Sequence, residues 1–280
     1  MRRYGSGTGG AALNARIRPA ALLLLLAAAP LAQADAPAPD LTGSVGLMHR
    51  RLTERNALGG KLLTETGPML QVQLEATRPL PDGAALAARA HLAAGDIDYD
   101  GRTQGGVPLA TTTRQYEGGV DVLWRPHEPA AWGEAWLSLG WLANRRLIRG
   151  TPIAGGLDEL SSATLAGVRW RSPAFTPAAG WTSRVEVEAR TSLSHQLRVD
   201  YYGLLDRSRF EGARKQLWTL RLQAAPTDSP WQWGLEWSLL RQPASKAVPV
   251  SRGGMLLPGT TVRQPELTSS DLVLRVGRRF

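Results

Sequence analysis

The 280-residue sequence predicts an all-β fold, a transmembrane antiparallel up-and-down β-barrel of about ten strands. Two observations carry the prediction. Segments alternating apolar and polar residues recur along the whole chain, the pattern of strands with two unlike faces. No apolar stretch after the first thirty residues approaches the eighteen needed for a membrane helix, so a membrane-embedded chain must be a closed barrel, which satisfies every backbone group in hydrocarbon. Eight or twelve strands remain compatible with the pattern, because residues 195–225 alternate poorly around Tyr201-Tyr202-Gly203.

Taken in order, the chain opens with Arg2, Arg3, Arg16 and Arg18, an apolar run from Ala20 to Ala29, and the small-residue site Ala32-Gln33-Ala34. Residues 1–34 therefore read as a cleaved secretory signal peptide, leaving 35–280 as one barrel domain. The leader holds four Arg and no acid, so its removal takes the net charge from +9 to +5, which does not imply nucleic acid. Absence of cysteine excludes disulfides and thiolate chemistry, and no cofactor or metal is implied.

Candidate strands fall at 42–54, 67–79, 84–98, 112–125, 131–146, 161–172, 180–194, 210–224, 230–242 and 268–280. Short links lie at 79–83, 126–130, 172–179 and 226–229; long links lie at 55–66, 99–111, 147–160, 195–209 and 243–267. Four short and five long connections fit ten strands with both termini periplasmic and long loops outside. Trp124, Trp132, Trp170, Trp181, Trp231 and Trp233 cluster at the short links and predict a periplasmic aromatic girdle.

Alternation assigns lipid-facing positions such as Leu70, Val72 and Leu74, Leu86 to Leu92, Val120 to Trp124, and Leu235 to Leu239. It assigns an inward set of Arg50, Glu75, Arg89, His91, Glu117, Asp121, Glu134, Arg169, Arg184, Glu186, Glu188, Arg190, Arg221, Glu236, Asp271 and Arg275. So many charges cannot occupy a dry core, and their balance of sign predicts a charge-paired lumen that plugs a narrow barrel. A small solute pore is the alternative use of the same residues. Basic residues near the long links, Arg51, Arg55, Lys61, Arg145, Arg146, Arg149, Arg198, Arg207, Arg209, Arg214, Lys215, Lys246 and Arg252, suit the phosphates of lipopolysaccharide.

The final strand, Leu272, Leu274, Val276 and Phe280 on one side and Asp271, Arg275 and Arg279 on the other, resembles the closing strand of bacterial outer-membrane β-barrels. The resemblance implies a Gram-negative outer membrane, with Phe280 as the insertion signal read by the barrel-assembly machinery. Among such barrels the omptins are endoproteases with an acidic pair on one extracellular loop and an Asp-His pair across the cleft. Asp96 and Asp98 resemble the acidic pair; His195 and Asp200 are the nearest counterpart of the second pair but stand five positions apart instead of two. The segment Ser192-Leu193-Ser194-His195 is the one local Ser/His cluster, and alternation puts both serines opposite His195. The expectation is a non-enzymatic barrel whose loops meet lipopolysaccharide, a ligand or an envelope partner; a pore, or an omptin-like or lipid-modifying hydrolase, are the alternatives.

Overall fold

The computed structural model describes residues 38–102 and 106–280; the leader at 1–34 lies outside them. The described residues form thirteen strands: β1 (Asp40–Arg55), β2 (Lys61–Pro79), β3 (Ala85–Arg102), β4 (Pro108–Arg125), β5 (Glu134–Ile148), β6 (Leu157–Arg171), β7 (Trp181–Asp200), β8 (Ser208–Glu211), β9 (Gln216–Pro226), β10 (Trp231–Gln242), β11 (Val248–Arg252), β12 (Met255–Val262) and β13 (Glu266–Arg279). Each barrel strand pairs antiparallel with its neighbours, β6 joins β7, and β13 returns to β1 from Thr42↔Arg279 to Arg55↔Glu266. The result is a closed cylinder of ten staves, one of which is β8 and β9 in series along β7. β11 and β12 form a separate hairpin.

The short links are where alternation broke in the sequence, but strands extend into four of the expected long links, 55–66, 99–111, 147–160 and 195–209. Among the described residues only 56–60, 106–107, 149–156 and 201–207 stay outside the ladder there. The strands continue because alternation continues: what changes is which face is apolar. On β3 the outward residues run from Leu92 to the exposed Asp96, Asp98 and Asp100, while the inward ones run from Arg89 and His91 to the buried Ile97 and Tyr99.

The apolar outer band matches lipid. Leu70, Val72 and Leu74 are 65%, 50% and 54% exposed, values no soluble sheet would leave to water in a contiguous row. About nine residues per strand lie in this band, which at ~3.3 Å per residue and a tilt near 40° spans roughly 23 Å, close to the height of a barrel's hydrocarbon belt. Trp124, Trp132, Trp181, Trp231 and Trp233 are exposed at its short-turn edge, and the Trp170 indole donates to the Trp132 carbonyl at 3.1 Å. Tyr116, Trp218 and Trp237 are exposed at the other edge, a second aromatic row that the expected strand limits had left in mid-strand.

Candidate functional site

Inside the cylinder, inward side chains from facing staves meet in successive layers of ion pairs. At the short-turn end Arg171 lies 3.3 Å from Glu75, 3.2 Å from Glu186 and 3.8 Å from Glu134, and Arg125 lies 3.4 Å from Glu134. The Trp136 ring fills the space between the Arg125 and Arg171 guanidinium groups, at 5.4 and 5.8 Å, and its indole donates to Glu134.

Next comes a continuous band across the bore. Arg89 pairs with Asp121 at 2.8 Å and Glu188 at 3.2 Å, and Arg190 with Asp121 at 2.6 Å. Arg169 lies 3.3 Å from Glu186; Arg221 joins Glu186, Glu188 and Glu236; and Arg275 donates to Glu236, Gln71 and Gln73. Above it Arg50 grips Asp271 with two hydrogen bonds of 3.0 and 2.8 Å and reaches Glu117 at 2.9 Å, with His91 3.8 Å from Glu117. Higher still, Arg146 sits among Glu54, Glu65 and Glu159 at 2.7, 2.8 and 2.6 Å, and Thr113 and Gln115 donate to Glu65. A charge buried with this many partners is held against its desolvation cost only because the guanidinium forks meet carboxylates at both edges.

Arg184 departs from the expected lumen set. It keeps the inward register, opposite Gln223 and two residues from Glu186, but near the short-turn end of β7 it is exposed and not part of the buried network, with no ion pair among the described residues. Two further corrections concern the expected outer rim: Arg146 and Lys215 are buried and face the bore. The Arg146 layer escapes the sequence because two of its carboxylates, Glu65 and Glu159, fall in the segments 55–66 and 147–160, which read as loops.

Above Arg146 the bore turns apolar. Leu52, Leu63, Tyr99, Ile148 and Leu267 pack together, and beside them Leu197, Val199, Tyr201 and Phe210 pack under Val248 and Val262 of the β11–β12 hairpin. Alongside these layers lies a cavity of about 110 Å³, bordered by Arg89, Arg221 and Glu236, by Arg50 and Arg146, and by Leu52, Leu240 and Leu267.

The hydrolase candidates do not assemble as the omptin pattern would need. Asp96 and Asp98 point away from the bore, and Asp96 is held at 2.7 Å by Arg114 on the outer wall. His195 is buried on the inner face, whereas Asp200 at the mouth pairs with Arg207 at 2.6 Å. His195 instead meets Ser161 of β6, with Nε2 3.3 Å from Oγ. Its own segment is not regular: β7 bulges at Leu193, where Thr164 faces Ser194 and Leu165 faces Ser192. The bulge turns Ser192 inward with His195, correcting the expected separation of those two.

No family model matches the chain, and no curated protein sequence matches it. Among solved structures it is similar to the outer membrane protease OmpT from Escherichia coli, at 9% identity and a TM-score of 0.53 over 89% of this chain and all of that one. It is also similar to the translocator domain of the autotransporter NalP from Neisseria meningitidis, at 12% identity and a TM-score of 0.43 over 94% and 96%. The attachment invasion locus protein Ail of Yersinia pestis follows at 8% and 0.34 over 86% and 99%. The first of these likenesses is one of fold: the chain has the fold of outer-membrane β-barrels.

Proposed function

We propose that the protein is an integral barrel of the Gram-negative outer membrane, exported through its leader, with a closed lumen and a basic outer collar that engages lipopolysaccharide. The observation that carries this reading is the bore itself: ion pairs from Glu134 to Arg146, topped by an apolar layer, occupy the path a solute would take. A selective pore would instead present a ring of one sign to water. The purified protein is therefore expected to show heat-modifiable migration, to fractionate with outer membranes, and to give no conductance steps above background in planar bilayers. Stepwise conductance that shifts in Glu186→Gln would overturn the closed lumen.

For the collar, Arg51, Arg149, Arg209, Arg214 and Arg241 are exposed above the apolar band, with no ion pair recorded for them among the described residues. Guanidinium forks suit lipid A phosphates. Replacing all five with Ser is expected to weaken lipopolysaccharide binding several-fold without changing heat-modifiability; undiminished binding would remove that part of the reading. The terminal strand supports the assembly role read from the sequence: Phe280 is 71% exposed beyond the closing ladder, and Arg278 lies between its ring and that of Trp231, at 5.5 and 5.8 Å.

A further inference from the structure

Buried in the upper bore, Ser161, Lys215 and His195 form a chain of hydrogen bonds outside the ion-pair network. Lys215 Nζ lies 2.8 Å from Ser161 Oγ, Ser161 Oγ 3.3 Å from His195 Nε2, and His195 Nδ1 3.0 Å from the Ala213 carbonyl. All three residues are buried, and no carboxylate stands within ion-pair distance of Lys215 among the described residues, in contrast with Arg50, Arg89, Arg146 and Arg221.

Donor and acceptor chemistry orders the protons. A carbonyl only accepts, so Nδ1 carries the ring proton; an ammonium only donates, so Ser161 Oγ accepts from Lys215. The remaining acceptor for the Ser161 hydroxyl proton is Nε2. A nucleophile, a base and a group that orients the base thus stand in sequence, at a distance ordinary for a site without substrate.

The local fold builds this arrangement. The bulge at Leu193 on β7 faces the interruption Gly212–Lys215 between β8 and β9. Ser192 N donates to the Lys215 carbonyl at 2.9 Å, Lys215 N donates to Ser192 Oγ at 2.8 Å, and Gly212 N donates to the His195 carbonyl at 2.9 Å. A Cβ at Gly212 would fall within the imidazole of His195, so the ring occupies its place because residue 212 has no side chain. Ser161 and Lys215 open onto the 110 Å³ cavity beside Asn144, where Leu142, Leu197 and Leu217 form an apolar patch in a lining that is otherwise mostly charged and polar.

We propose that Ser161 is the nucleophile of an esterase site for short acyl chains, with His195 as general base and the Lys215 ammonium stabilising the oxyanion. Ser161 Oγ bonds to the acyl carbon while its proton passes to His195 Nε2. The charge on the carbonyl oxygen is held by Lys215, the C–O ester bond breaks, and the alcohol leaves with the proton from His195. Water then attacks the acyl-serine, giving a proton to His195, and that proton returns to Ser161 as the carboxylic acid departs. The sum is ester plus water to acid plus alcohol.

The test uses the heat-modifiable protein in detergent without lipopolysaccharide, so its outcome is independent of the collar. Methanesulfonyl fluoride, small enough for the cavity, is expected to add one methanesulfonyl group at Ser161, read by intact mass and peptide mapping, about 100-fold faster than in the urea-unfolded chain. Hydrolysis of p-nitrophenyl acetate should fall by a similar factor in Ser161→Ala and His195→Gln and stay unchanged in His127→Ala. Gly212→Ala keeps all three polar side chains but displaces the imidazole, and is expected to lose labelling while remaining heat-modifiable. No label on Ser161 in the folded protein, or equal hydrolysis by folded Ser161→Ala, overturns the proposal.

Discussion

The barrel consists of two halves that obey opposite rules along the same strands. In the half at the short turns the outside is apolar and the inside carries ion pairs; in the half at the loops the outside is charged and the inside packs Leu52, Leu63, Tyr99 and Ile148 around the last ion cluster, that of Arg146. β3 shows the change within one strand, from Leu92 out and Arg89 in to Asp98 out and Tyr99 in. The reversal follows the solvent. Where hydrocarbon surrounds the barrel, polar groups have only the bore to enter; where water surrounds it, burial of apolar groups inside becomes favourable again.

The largest test of this contrast removes one cation from the ion network. Arg221 serves Glu186, Glu188 and Glu236, so Arg221→Ala leaves three buried carboxylates short of a partner. Breaking such a pair costs about 3–5 kcal/mol. The urea midpoint of the refolded barrel should drop accordingly, or the variant should fail to reach the heat-modifiable form. A midpoint within error of the parent would mean that the bore is hydrated and its pairs are dispensable.

A smaller effect separates the two outer surfaces. Val72 lies near the middle of the apolar band on β2, while Thr64 sits eight residues up the same strand opposite Asp100. An arginine at the bilayer midplane costs roughly 2–4 kcal/mol, whereas above the interface the cost approaches zero and a cross-strand carboxylate can offset it. Val72→Arg should therefore destabilise the barrel in liposomes far more than Thr64→Arg. Equal costs would place the bilayer edge elsewhere.

Most of the lower half was legible in the sequence. Alternation, the Pro/Gly turns and the tryptophans give the ten staves, their pairing order and charges such as Arg89, Glu188 and Arg221, because one face meets lipid at every second residue. The upper half was not, since its alternation has the opposite sign and stretches such as 55–66 and 99–111 read as loops. Two features have no local signature at all: the bulge that turns Ser192 and His195 the same way, and the cross-strand meeting of Ser161 with Lys215, 54 positions apart. Both depend on register, which the sequence specifies only through the whole sheet.

The smallest expected effect lies at the mouth, where the β11–β12 hairpin covers the apolar layer. The Asp206 carboxylate accepts hydrogen bonds from Gly253 and Gly254 at 2.9 and 2.8 Å, and Arg252 Nε donates to the Leu204 carbonyl at 2.8 Å. Both glycines have positive φ, 59° and 81°, which lets successive N–H groups aim at one carboxylate. Hydrogen bonds from Ser251 and the two glycine amides hold the Asp206 carboxyl below its ordinary value of 3.8. A lowered value means that the latch is fully present above 3.8 and is lost below it, as pH falls through the lower folded value. Pepsin cleavage around Met255 should therefore rise on acidification through this window, while the ion-paired lower half stays protected. At neutral pH, Asp206→Ala should speed tryptic cleavage after Arg252 a few-fold and leave heat-modifiability intact, because local opening of an exposed hairpin does not require the cylinder to open. Cleavage equally slow in the variant would show that packing of Val248 and Val262 on Phe210, and not the carboxylate, keeps the hairpin over the bore.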